Sequence, residues 1–268
     1  MGTVYRAVSK KGGETVALKV MDSDIADEDA QKRFLREGHV GQEMDHPNIV
    51  KIFDSGKESG RLYYVMEYCQ GTCLHDLMEE GLSVRAVLSI GIVLCDALHY
   101  LHEKGVVHRD VKPENIMILS EPDFRLIDEV DDPVSLAGSC VKLLDLGLAR
   151  LAGATTLTRT GLVAGTIMYV PPESLGGSKN AAPAVDFYAV GIMIYEMVTG
   201  IAPYTGEDMA ELMYAVLYRT PATPKSVEPR VPEPVSDFIM RLIEKEAALR
   251  LSDYVEIRKG FMKLMELF

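Results

Sequence analysis

Cysteine is scarce in this sequence: Cys69, Cys73, Cys95 and Cys140 are the four, and they form no paired framework. That excludes a disulfide-stapled secreted scaffold and leaves reduced thiols in a cytoplasm as the expectation. Cys69 and Cys73 have the spacing of half a zinc site, but no second ligand pair follows. Positive charge is also short, with 28 Lys and Arg against 40 Asp and Glu for a net charge of -12. A nucleic-acid binder that neutralised phosphates would carry the opposite balance. Long apolar runs are missing; the best, Ile90 to Leu98, is interrupted by Asp96, so no membrane segment is expected. No signal peptide is legible. Arg6 stands where a myristoylation signal wants Ser or Thr, and nothing repeats.

What is present is an ordinary globular composition, 47% hydrophobic and 25% charged over 268 residues. Such a chain buries one large core or two modest ones. Its most informative stretch is His108-Arg109-Asp110-Val111-Lys112-Pro113-Glu114-Asn115. A carboxylate, a cation and an amide crowd into it, and the apolar Ile116-Met117-Ile118-Leu119 follows as a buried strand able to fix them. A bland reading is a polar loop around one Asp–Arg pair. Further along, Val141-Lys142-Leu143-Leu144 forms a short strand delivering Asp145-Leu146-Gly147. Near the start, Lys19 is flanked by Ala17-Leu18 and Val20-Met21, so its ammonium needs a buried counter-charge.

These stretches resemble the eukaryotic-type serine/threonine protein kinases, in a bacterial-like form. The first is similar to the catalytic loop H-R-D-x-x-x-x-N; Asp145-Leu146-Gly147 is a variant of D-F-G with Leu for Phe. Gly2-Thr3-Val4-Tyr5 followed by Glu14 to Val20 is similar to kinase strands two and three, with Lys10 to Gly13 as the turn. Of the glycine-rich loop G-x-G-x-x-G-x-V only Gly2 and Val4 stand here; the two leading glycines and the strand before them do not. The resemblance implies an α+β, two-lobed fold. Residues 1–68 would make a small β-rich lobe with one helix, and 69–268 a larger, mainly helical lobe.

The roles follow from the same resemblance. Asp110 would receive the substrate hydroxyl, Lys112 neutralise the phosphoryl group in transit, and Asn115 and Asp145 hold Mg²⁺ or Mn²⁺. Lys19 would position the ATP phosphates, paired with Glu37 on a helix running from Asp27 to Met44; an exposed Glu37 near Arg33 or Arg36 is the alternative. Adenine would bond the backbone at Glu67 and Cys69, with Met66 behind it and Val4, Ala17 and Met117 lining the cleft. Thr155, Thr156, Thr158 and Thr160 offer phosphorylatable hydroxyls that Arg109 would grip, and Thr166 would stand beside Asp110 and Lys112. Asp186 would brace the catalytic loop, and Arg250 would pair with Glu173 of Pro171-Pro172-Glu173, a variant of A-P-E. His99 and His102 read as surface or packing residues. The implied activity is phosphorylation of protein Ser and Thr, including autophosphorylation in trans, in the cytoplasm; a pseudokinase-like scaffold and a small-molecule phosphotransferase are the competing readings. The connection from Asn115 to Asp145 is unusually long and acidic, with Glu121, Asp123, Asp128, Glu129, Asp131 and Asp132, and reads as a solvated surface excursion in preference to a second metal site.

Overall fold

The computed structural model describes residues 2–10, 12–21, 28–145, 167–175 and 183–268, without the side chains of 28–30, 33 and 37. The small lobe is a four-stranded antiparallel sheet in the order β1-β2-β4-β3: β1 (Gly2–Val8), β2 (Thr15–Met21), β3 (Ile52–Glu58) and β4 (Arg61–Glu67). Gly13, at φ +75°, takes the left-handed conformation in the β1–β2 turn that a side chain resists. Gly2 is required by packing, since a Cβ there would come within 2.6 Å of the Val20 carbonyl oxygen. Helix α1 (Glu28–Glu43) lies against this sheet, with Phe34 fully buried and stacked on Tyr64 at 4.1 Å between ring centroids.

The second lobe is helical around a small sheet. Its strands β5 (Gly71–Cys73), β6 (Ile116–Leu119) and β7 (Val141–Leu143) run in the order β5-β6-β7. Helix α2 (Leu74–Glu80) precedes the central helix α3 (Val84–Glu103), capped by the Ser83 hydroxyl on the Ala86 N–H. By length and composition α3 is apolar enough to cross a membrane, which the reading of the sequence missed, but 72% of that stretch is buried in the protein. Asp96, the charge in the middle of the helix, is held against Tyr254 (2.8 Å) and Arg258 (3.1 Å). Beyond β7 come α5 (Pro172–Leu175), α6 (Ala184–Thr199), α7 (Met209–Tyr218), α8 (Pro224–Val227), α9 (Glu233–Leu242) and α10 (Tyr254–Met265). Helix α6 is buried nearly all round and closed by Gly200 at φ +74°.

The acidic connection differs from expectation. It folds into a 3₁₀ turn at Phe124–Asp128 and a helix, α4 (Pro133–Cys140), which bury Phe124, Ile127, Ala137 and Cys140. Two of its acids are consumed as caps: Asp123 accepts from Arg125 N and Asp132 from Ser135 N. Among the described residues no three His, Cys, Asp or Glu side chains gather as a metal site. The acid count concealed an apolar face at helical spacing.

Candidate active site

The site is assembled where the two sheets meet. Lys19 lies on β2, opposite Val4 on β1 and Tyr64 on β4. Its Nζ donates to Asp145 Oδ2 at 2.6 Å, and its side chain is 17% exposed. Asp145, its side chain 41% exposed, is thus one counter-charge for Lys19, a pairing the sequence did not suggest. Glu37 belongs to α1, but its side chain lies outside the described residues. Asp145 reaches this position on a backbone of φ +48°, a conformation uncommon for any residue but glycine.

The catalytic-loop residues form a second cluster next to it. Asn115 Nδ2 donates to the Asp110 backbone oxygen at 2.7 Å and to its Oδ2 at 2.9 Å. Lys112 Nζ lies 3.6 Å from the same Oδ2. Leu144 N donates to Asn115 O at 2.8 Å, so the backbones carrying Asn115 and Asp145 are bonded to each other.

A buried carboxylate sets the loop. Asp186, fully buried on α6, accepts from His108 N (2.9 Å) and Arg109 N (2.7 Å), and His102 Nε2 stands 2.8 Å from its Oδ2. These bonds hold Arg109 at φ +64°, where a non-glycine residue costs about 1–3 kcal/mol. His108, itself fully buried, donates from Nε2 to Leu144 O at 3.0 Å and accepts at Nδ1 from Asp110 N at 3.3 Å. His102 is thus part of this brace. The sequence shows it only as a surface or packing residue, since nothing in an apolar helix's spacing reveals a carboxylate arriving from a helix 84 residues on.

Lower in the lobe, Arg250 grips Glu173 through both guanidinium arms, at 2.7 and 2.9 Å, as expected. Its Cζ lies 4.8 Å from the Tyr188 ring centroid. Burial pushes the Glu173 carboxyl up, but Arg250 and a backbone hydrogen bond together outweigh it and the group ends below the usual carboxylate range.

At the junction of the lobes, Met66 is registered with Ala17, and Glu67 N donates to Lys51 O at 2.9 Å. The Glu67 carboxylate meets Lys142 Nζ at 2.8 Å. Met117 lies on β6, opposite Cys73 and Lys142. Val4 is 54% exposed and Ala17 buried. Burial, aided by Glu67, pushes the Cys69 thiol up to about 11. We therefore expect iodoacetamide at pH 7.5 to label Cys69 at least roughly tenfold more slowly than a cysteine in a short peptide, as read by mass spectrometry. Arg109 is placed by Asp186; Thr155, Thr156, Thr158, Thr160 and Thr166 lie outside the described residues.

The donor set fits a divalent ion held partly by nucleotide. Asn115 commits its Nδ2 to Asp110, which leaves the amide oxygen as the atom for a cation; Asp145 supplies carboxylate oxygen. Two hard oxygen donors are too few for a closed protein cage, so an ion such as Mg²⁺ would need phosphate and water oxygens to complete its coordination.

Comparison with known proteins agrees with this geometry. Residues 1–262 match the protein kinase domain. A probable serine/threonine-protein kinase of Clostridium perfringens is 31% identical over 260 residues, covering 96% of this chain and 35% of that protein. PknL of Mycobacterium tuberculosis is 33% identical over 256 residues (94% and 60%), and PrkC of Bacillus subtilis 32% over 249 (92% and 36%). The chain thus spans from about a third to three fifths of the length of these relatives. The crystal structure of Rad53 1-466 with AMP-PNP superposes with a TM-score of 0.74 at 26% identity, covering 97% of this chain and 61% of that one. The β-rich lobe, the helical lobe and the cluster between them have one common explanation: this chain belongs to the protein kinase domain family.

Proposed function

We propose that the chain transfers the γ-phosphoryl group of ATP to serine and threonine hydroxyls of proteins. The observation that carries this reading is the 2.6 Å contact of Lys19 with Asp145. It joins β2 to the segment just past β7, whose Leu144 N is bonded to Asn115 O, which supports a reading in which this pair and the Asp110–Asn115 loop act on one substrate. Asp110 orients the incoming hydroxyl and takes its proton, while the new oxygen–phosphorus bond forms and the bond to the β–γ bridging oxygen breaks, releasing ADP. Asn115 keeps the Asp110 carboxylate in place at 2.9 Å. Lys112, 3.6 Å from it, meets the charge on the moving group, and Lys19 holds the α- and β-phosphates. Mg²⁺ or Mn²⁺, on Asn115 and Asp145, neutralises phosphate charge when bound. Most of the acceleration comes from this positioning and fixed charge.

The four free cysteines suit a reducing cytoplasm, where we place the reaction. Autophosphorylation in trans, at threonines among 155–166 and read by Arg109, is the regulation that the sequence supports. Incubation with γ-labelled ATP and magnesium should label the chain itself or myelin basic protein, and EDTA should abolish the label. Label no greater than that of Asp110→Ala would overturn the proposal.

A further inference from the structure

The excursion at 120–140 lies outside everything assigned above, yet the structure ties it to the cleft. Helix α4 runs directly into β7, the strand that delivers Asp145. The small lobe grips that junction from behind. Asn48, 6% exposed in the loop between α1 and β3, donates its two amide hydrogens to Gly138 O (2.7 Å) and Val141 O (2.8 Å). The backbone beside it continues the hold: Leu143 N donates to Asn48 O at 2.7 Å and Val50 N to Leu143 O at 2.9 Å. The Asn48 amide has no role in solubility or in the core of its own lobe; both hydrogens cross to the other one.

Asn48 is itself fixed. Its N–H donates to His46 Nδ1 at 3.2 Å, and burial pushes the His46 pKa down, which keeps that nitrogen an acceptor. The excursion is fixed too. Arg85 on α3 donates to the carbonyls of Ile127 (3.3 Å), Asp128 (3.1 Å) and Val130 (2.9 Å), and Ser83 Oγ to Asp128 Oδ1 at 2.7 Å. A connection built only to span two strands needs none of these bonds.

We propose that α4 and Asn48 form a positioning device for phosphoryl transfer: the amide, clasped between Gly138 and Val141, sets where β7 presents Asp145 to Lys19. The front contact, Lys19 to Asp145, and this rear clasp are two attachments of the same strand to the same lobe. Loosening the rear one lets the front one drift. The effect would fall on nucleotide, whose phosphates and metal Lys19 and Asp145 would hold, more than on the Asp110–Lys112 side chains that would meet the protein substrate. This inference rests on the kinase reading for its consequence, though its first readout does not need turnover.

The test measures the dissociation constant of Mg–ATP, by calorimetry, in an Asp110→Asn background, and then KM and kcat in the otherwise unaltered chain. Asn48→Ala should weaken Mg–ATP about tenfold, the size expected for one to two lost hydrogen bonds, and raise KM for ATP with KM for the protein substrate within about twofold. Asn48→Asp keeps the shape but removes the donors, and should be at least as damaging. Arg85→Ala, which loosens the excursion from α3, should shift affinity in the same direction by a smaller factor. Gly138→Ala, whose added Cβ meets nothing within 4 Å, should bind as before. Unchanged affinity in Asn48→Ala and Asn48→Asp, with only a lowered Tm, would overturn the proposal, as would an Arg85→Ala that alters Tm alone. If affinity responds as stated but the unaltered chain labels no protein, the kinase reading falls and the clasp stands; a chain that binds no nucleotide overturns both.

Discussion

Asp110→Asn is expected to lower phosphoryl transfer roughly a hundred- to ten-thousandfold, the usual worth of a positioned general base, with Mg–ATP affinity changed by less than about twofold. Asparagine has the size of aspartate and keeps an oxygen for the Asn115 amide, now bonded at 2.9 Å, so the loop's shape survives. What it loses is the ability to accept the hydroxyl proton. Attack on the γ-phosphorus then begins from a neutral, unassisted alcohol. Single-turnover kinetics at saturating ATP separates this from a binding defect. Equal loss in kcat and kcat/KM fits an interaction made only in the transition state, whereas a rise in KM with kcat intact would take Asp110 out of the chemistry.

Asp186→Ala should do more damage to the fold than any change in the cleft itself. The carboxylate is fully buried and serves three partners: His108 N, Arg109 N and His102 Nε2. Alanine leaves these donors without an acceptor in a dry interior, at about 1–3 kcal/mol for each one unmade. It also frees Arg109 from φ +64°, and the peptide next to Asp110 relaxes toward an ordinary conformation. Tm should fall by several degrees or more, and activity should fall further than the loss of folded protein explains. Thermal unfolding and active-site titration on the same sample measure the two separately. Asp186→Asn, retaining one acceptor oxygen, should recover part of the stability. An alanine variant with unaltered Tm would mean the bonds to the loop contribute nothing.

Lys19 and the catalytic loop show why some of the site was legible from residues alone and some was not. Asp110, Lys112 and Asn115 are within five positions of one another, so a short apolar strand behind them fixes their relation locally. A lysine between apolar strand neighbours must find a counter-charge, so the need was legible; its identity was not. Asp145 lies 126 residues away, two residues past the end of β7, and no spacing rule points to it. His102 was passed over for the same reason, since its partner Asp186 comes from a different helix. The excursion at 120–140 misled by composition. Its charges draw the eye, while Phe124, Ile127, Ala137 and Cys140, which bury it, are spread too thinly to stand out.

The sequence by itself determined the strand and helix periods, the polar groups available and the family they resemble, because these depend on residues near one another along the chain. The tertiary structure alone decided who meets whom: Lys19 with Asp145, His102 with Asp186, Asn48 with Gly138 and Val141. Each of those contacts is a few ångströms long and joins segments scores of residues apart. Such meetings are set by how helices and sheets pack as bodies, which local chemistry constrains but does not choose.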